Sequence, residues 1–136
     1  MKIDGSCHCG AIAFEAEADP ATASICHCTD CQAITGTAFR VNISVPAAQF
    51  TLLKGEPARY LKTTAESGNK RVQAFCPACG TQLYASAAGD NPPAYTLRVG
   101  TLRQRELIQP KAQNWTRSAR PWLAELATLP GREKGA

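Results

Sequence analysis

Phe75-Cys76-Pro77-Ala78-Cys79-Gly80-Thr81-Gln82-Leu83, residues 75–83, is the stretch that decides how this chain folds. Cys76 and Cys79 bracket a proline and are followed at once by a glycine. Pro77 fixes one φ and Gly80 is free to take positive φ, so a tight turn points both sulfurs to one side while backbone N–H groups face them. Two sulfurs do not close a site, because zinc takes four ligands at about 2.3 Å. The partners must come from the other cysteines, which fall into Cys7-x-Cys9 and Cys26-x-Cys28-x-x-Cys31.

Counting gives the partition. The two pairs combine into a closed site of Cys7, Cys9, Cys76 and Cys79, which staples the two ends of the sheet region together. Cys26, Cys28 and Cys31 then form a second site with one coordination position open, where a catalytic zinc holds water or substrate. A thioredoxin-like redox motif at Cys76–Cys79 would need a βαβ setting that the chain lacks. The triplet could instead be closed by His8, His27 or Asp30, but neither histidine has a spacing that selects it. His27, between two ligands, is expected to point away from the metal.

The chain has 136 residues, 44% hydrophobic and 19% charged, the make-up of one compact domain spanning 1–136. Its 10 glycines and 9 prolines predict turns and argue against long helices. Seven cysteines, an odd number, are poorly explained by disulfides. Met1 to Gly5 carries no apolar export segment and no run reaches membrane-spanning length, so a cytoplasmic location and no membrane partner are expected. The formal charge is +4, and all the excess lies beyond Leu102, in Arg103, Arg105, Lys111, Arg117, Arg120, Arg132 and Lys134. Seven thiolates on two divalent ions would reduce the total to about +1, which argues against a nucleic-acid partner.

Short strand-forming runs between turn signals predict a mainly β fold. They are Ile12–Ala16, Thr37–Val45 with Phe39, Val41 and Ile43 at period two, Phe50–Lys54, Arg59–Thr63, Arg71–Phe75, Gln82–Ala85 and Tyr95–Val99. Pro121, with Leu123, Leu126 and Ala127 on one face, predicts a short C-terminal helix, and residues 131–136 read as a frayed tail. Trp115 and Trp122 read as core or rim packing rather than a substrate platform. The C-terminal basic residues read as solvated surface, with one or two available to a substrate carboxylate. No phosphate loop or Ser-His-Asp arrangement is present.

Gly5-Ser6-Cys7-His8-Cys9-Gly10-Ala11-Ile12, Cys26-His27-Cys28-Thr29-Asp30-Cys31-Gln32, Gly36 and the segment from Phe75 to Leu83 together resemble the glutathione-dependent formaldehyde-activating enzyme family, which also contains centromere protein V. Val99-Gly100-Thr101-Leu102 and Pro121-Trp122 are further landmarks, so the resemblance runs from about residue 5 to about residue 123. It implies an Mss4-like zinc-stapled β-sheet fold and two zinc ions per chain, a structural one on Cys7, Cys9, Cys76 and Cys79 and a catalytic one on Cys26, Cys28 and Cys31. It also implies a carbon–sulfur lyase that adds glutathione reversibly to formaldehyde, with a small thiol and an aldehyde as partners. Thr29-Asp30, Gln32-Ala33 and Arg103 depart from the family's usual residues around these motifs. The alternative is a non-enzymatic zinc-stapled binding module whose basic C-terminal segment meets a partner.

Overall fold

A computed structural model describes residues 1–135, so Ala136, the last residue of the expected tail, lies outside the described residues. Ten strands form two sheets. Strands β1 (Lys2–Ser6), β2 (Ala13–Glu17) and β5 (Phe50–Lys54) make a small antiparallel sheet in the order β1-β2-β5. The larger sheet contains β3 (Ser24–Cys26), β4 (Arg40–Pro46), β6 (Ala58–Lys62), β7 (Arg71–Phe75), β8 (Gln82–Ala87), β9 (Ala94–Arg98) and β10 (Ala112–Asn114). Its order is β10-β3-β4-β9-β8-β7-β6, antiparallel throughout except where β10 joins β3 in parallel.

The expected runs became strands with ends displaced by a few residues, as at Arg40–Pro46 against Thr37–Val45. β1, β3 and β10 were not expected: Lys2–Ser6 carries one buried residue, Ile3, and the other two strands are three residues long, too short for a period to show. One α-helix, α1 (Thr29–Thr35), was also not expected. Its signals are Asp30 in the first turn and Gly36 at φ 68 just beyond the end.

The two sheets share a core of Ile3, Ile12, Phe14, Ile43, Leu83 and Leu97, all at most 1% exposed. Each such side chain contributes roughly 1.5–3 kcal/mol by leaving water. Phe50 on β5 ties the sheets together, with ring centroids 5.7 Å from Phe14, 5.3 Å from Tyr84 and 4.5 Å from Tyr95. The C-terminal helix forms over Pro121–Thr128 as a 3-10 helix, and its implied apolar face is not packed: Leu123 is half-buried, while Leu126 and Ala127 are exposed. Eight residues with no buried contact gain too little from the core to be drawn into an α-helix. Among the described residues no helix is long and apolar enough to cross a membrane.

Candidate metal centres and the adjoining cavity

The β1–β2 and β7–β8 connections are two turns of one design. In the first, Gly10 N–H donates to the Cys7 carbonyl at 3.1 Å, Cys7 N–H to the Ile12 carbonyl at 3.1 Å, and Gly10 takes φ 80. In the second, Gly80 N–H donates to the Cys76 carbonyl at 2.8 Å, Cys76 N–H to the Thr81 carbonyl at 2.9 Å, and Gly80 takes φ 76. Each turn presents one buried and one exposed sulfur, so Cys7, Cys9, Cys76 and Cys79 converge from the small sheet and the large one.

Sulfur separations of 3.6 Å for Cys7–Cys9 and 3.8 Å for Cys9–Cys76 match the edge of about 3.8 Å that a tetrahedron with metal–sulfur bonds of about 2.3 Å requires. Ile12 N–H donates to Cys7 Sγ at 3.2 Å, and the Thr81 hydroxyl lies 3.1 Å from Cys79 Sγ. The Thr81 hydroxyl and N–H bring the Cys79 thiol down to about 5, toward the thiolate a metal ligand must be. The donor set therefore fits a closed four-thiolate metal site.

The triplet is built at one corner of the large sheet. Cys26 ends β3, Cys28 caps α1 by accepting from Cys31 N–H at 3.2 Å, and Cys31 lies within the helix. Sulfur separations are 3.0 Å for Cys28–Cys31 and 3.3 Å for Cys31–Cys26, so a metal of zinc's size would open the triplet by roughly 0.5–0.8 Å. In its proton-sharing form the Cys31 thiol donates to Cys26 Sγ, and the Cys28 groups and the Arg40 charge add to this. Against burial, they bring Cys26 down to about 5. Cys31, which keeps the shared proton in a buried position, is pushed up.

No histidine enters either cluster. His8 is exposed, and His27, buried at 2% exposure, turns its ring away as expected and meets Gln113 Oε1 at 2.8 Å from Nε2. His27 N–H donates to the Asn114 carbonyl at 3.0 Å, and Gln32 Nε2 donates to the carbonyls of His27 at 2.8 Å and Ser118 at 3.0 Å. These bonds strap residues 112–118 beside the triplet.

A cavity of ≈ 270 Å³ opens between that strap and the β6–β7 connection, and of the three cysteines only Cys28 lines it. Trp115 and Arg117 wall one side, Lys62 and Glu66 the other. Trp115 is therefore not core: it is 42% exposed, sits at φ 59, and carries the Arg117 guanidinium 4.9 Å above its ring. Arg117 also pairs with Glu66 at 2.6 Å, and Lys62 pairs with Asp30 at 3.1 Å. The Thr64 hydroxyl at 2.8 Å, together with Lys62, holds the Asp30 carboxyl below its usual range. The cavity thus brings two cations, two carboxylates and an aromatic face beside one half-buried cysteine of the triplet.

A family model described as glutathione-dependent formaldehyde-activating enzyme matches residues 2–118, nearly the whole chain. The chain belongs to that family. A solved crystal structure of a Rhodobacter sphaeroides protein is similar in fold, with a TM-score of 0.60 at 22% identity, covering 82% of this chain and 99% of that one. All seven cysteines that the family motifs pick out lie in the two clusters. The wall residues Lys62, Thr64, Glu66 and Arg117 belong to no such motif, and only the fold brings them to Cys28. Trp115 in a polar, short-strand stretch was the one signal that could have drawn attention to this wall.

Proposed function

We propose that this chain is an enzyme of the carbon–sulfur lyase type, adding a small thiol such as glutathione reversibly to formaldehyde or a related small electrophile. The observation that carries this reading is the opening of Cys28, alone of a three-sulfur cluster, onto a cavity with charged groups of both signs and an aromatic wall. A peptide-like thiol carries charges of both signs and suits such a lining. Cys26, Cys28 and Cys31 would hold a catalytic zinc with one position open, while Cys7, Cys9, Cys76 and Cys79 would hold a structural zinc. When bound at the triplet, zinc supplies the charge that favours a thiolate over a thiol.

The chain's own residues bind and orient. Lys62 and Arg117 would receive carboxylate, and Glu66 and Asp30 ammonium, by exchanging the ion pairs they make with each other, while Trp115 would exclude water from one side. In the reaction one carbon–sulfur bond forms between the substrate sulfur and the carbonyl carbon, and the proton lost from sulfur ends on the former carbonyl oxygen. Nothing is oxidised or reduced, and the reverse step returns thiol and aldehyde. Seven free thiols suit a reducing compartment such as the cytoplasm. The binding-module alternative draws less support, because it gives the three-cysteine cluster beside the cavity no role.

The test is exchange NMR of glutathione, formaldehyde and their adduct, with metal-analysed protein against buffer and against Cys28→Ser. Acceleration over buffer that vanishes in a folded Cys28→Ser variant is expected. Equal acceleration by that variant removes the triplet from the reaction, and no acceleration by fully loaded protein removes the thiol–aldehyde reading.

A further inference from the structure

Four ion pairs form among the described residues, and none involves Arg40, Arg71 or Arg98. All three arginines stand on one face of the large sheet. Register explains this: Cys26 pairs with Arg40 across β3 and β4, Asn42 pairs with Arg98 across β4 and β9, and directly opposed residues share a face. The metal-ligand candidate Cys26 therefore stands directly opposite Arg40, with Arg98 on the same face in the neighbouring row, across from Asn42 and Ser24.

Arg98 is only 5% exposed. It donates to Asn42 Oδ1 at 2.8 Å, Gln73 Oε1 at 2.6 Å and the Thr96 carbonyl at 3.2 Å, all of them neutral, and its Nε has no partner. Arg40 reaches the same Gln73 oxygen at 3.5 Å, and its buried Nε is likewise unpartnered. Arg71, half-buried farther along β7, adds positive potential in the same sense. A buried cation held only by neutral acceptors is unfavourable unless an anion stands nearby. The groups on this face able to be anionic include the sulfur of Cys26, directly opposite Arg40, and Cys28 and Cys31 gather with it.

Charge counting then discriminates between fourth ligands. A divalent ion on three thiolates leaves one negative charge, and a substrate thiolate in the fourth position makes two. Arg98 and Arg40 supply two positive charges, and Arg71 adds a third farther along β7. A neutral fourth ligand leaves more of this positive charge unmatched than a thiolate does. We infer that Arg98 and Arg40 are the countercharge that makes the three-cysteine site select an anionic fourth ligand, a substrate thiolate, over a neutral donor. They are positioning and specificity residues that touch neither substrate nor metal. The inference rests on the triplet being a metal site, as proposed above, and not on which electrophile the thiol attacks.

The test uses cobalt(II)-substituted full-length protein, whose sulfur-to-metal charge-transfer band reports each thiolate added. Glutathione is titrated as the anionic ligand and imidazole as the neutral one, against wild type, Arg98→Met, Arg98→Lys and Arg40→Met. Wild type should gain a thiolate band, Arg98→Met should lose affinity for glutathione on the order of 10- to 100-fold with imidazole affinity unchanged, and Arg98→Lys should recover most of the loss. If Arg98→Met does not fold, Arg40→Met reads the same difference at a half-buried position. The inference is overturned if wild type gains no thiolate band, if glutathione and imidazole affinities fall together, or if no neutral variant weakens thiolate binding. An enzyme that fails the NMR test yet shows the selective loss would keep this inference and lose only the proposed reaction.

Discussion

Gly55→Ala should be far more damaging than a glycine-to-alanine change elsewhere on the surface, because of what it does to Cys7. Gly55 follows β5 at φ +77, and a Cβ there would lie 2.3 Å from the Ala11 carbonyl oxygen and 2.9 Å from Ile12 Cγ1. Gly68 is the control: its φ is +80 and nothing lies within 4 Å of the added carbon. The left-handed backbone costs an alanine about 1–2 kcal/mol at either position, offset by about 0.4–1 kcal/mol from the stiffer unfolded chain. Gly68→Ala should therefore lose about 1 kcal/mol. At Gly55 the Ala11 carbonyl must also retreat by about 1 Å to reach the ordinary contact range that begins at 3.4 Å. That movement pulls Ile12 N–H from Cys7 Sγ, a bond to a charged acceptor worth about 1.5–3 kcal/mol. The sum is about 3 kcal/mol, or roughly 10 °C in Tm against roughly 3 °C for the control. Thermal unfolding at matched metal content, with metal release followed by a chromogenic chelator, reads both consequences. Equal Tm losses for the two variants, with equal metal release, would refute the reasoning.

Removing one sulfur of the four-cysteine site should cost the fold itself, since a structural metal contributes folding free energy directly. Cys76→Ser should show lost near-ultraviolet dichroism and a broad or absent thermal transition, and a cooperative transition near the wild-type Tm would overturn the structural role. Trp115→Gly should separate binding from stability. The residue sits at φ 59, where glycine is unstrained, so stability should fall by less than about 1 kcal/mol. Loss of the aromatic wall should raise KM for the thiol about tenfold with kcat within about twofold. An unchanged KM would remove Trp115 from the binding surface.

The cysteine partition was legible because ligand number is a hard constraint: seven sulfurs in clusters of two, three and two leave few ways to complete a tetrahedral site. The strand Arg40–Pro46 was legible from Val41 and Ile43 at period two, and Phe50–Lys54 and Arg71–Phe75 from the turn signals that bound them. What escaped were features set by distant pairings. β3 and β10 are three residues each and exist because they meet one another and β4. Helix α1 hid behind the metal-ligand reading of its own cysteines, since Cys28 is at once ligand candidate and cap. Gln32, noticed only as a departure from a family pattern, turns out to hold the strap through the Ser118 carbonyl. Nothing local announces that β4 and β7 will bury Arg98.

The parallel β3–β10 pairing also sets an order of assembly. The three triplet sulfurs lie within six consecutive residues, so they can gather early at little loop-closure cost, whereas Cys9 must wait for Cys76, 67 residues later. As the chain grows, the strap comes after both cysteine clusters, because residues 112–118 follow Cys79 and Gln32 meets Ser118 across 86 residues. On a growing chain the triplet would stand open to ions before the wall beside Cys28 exists. Any metal taken up by the triplet would then arrive before the cavity closes.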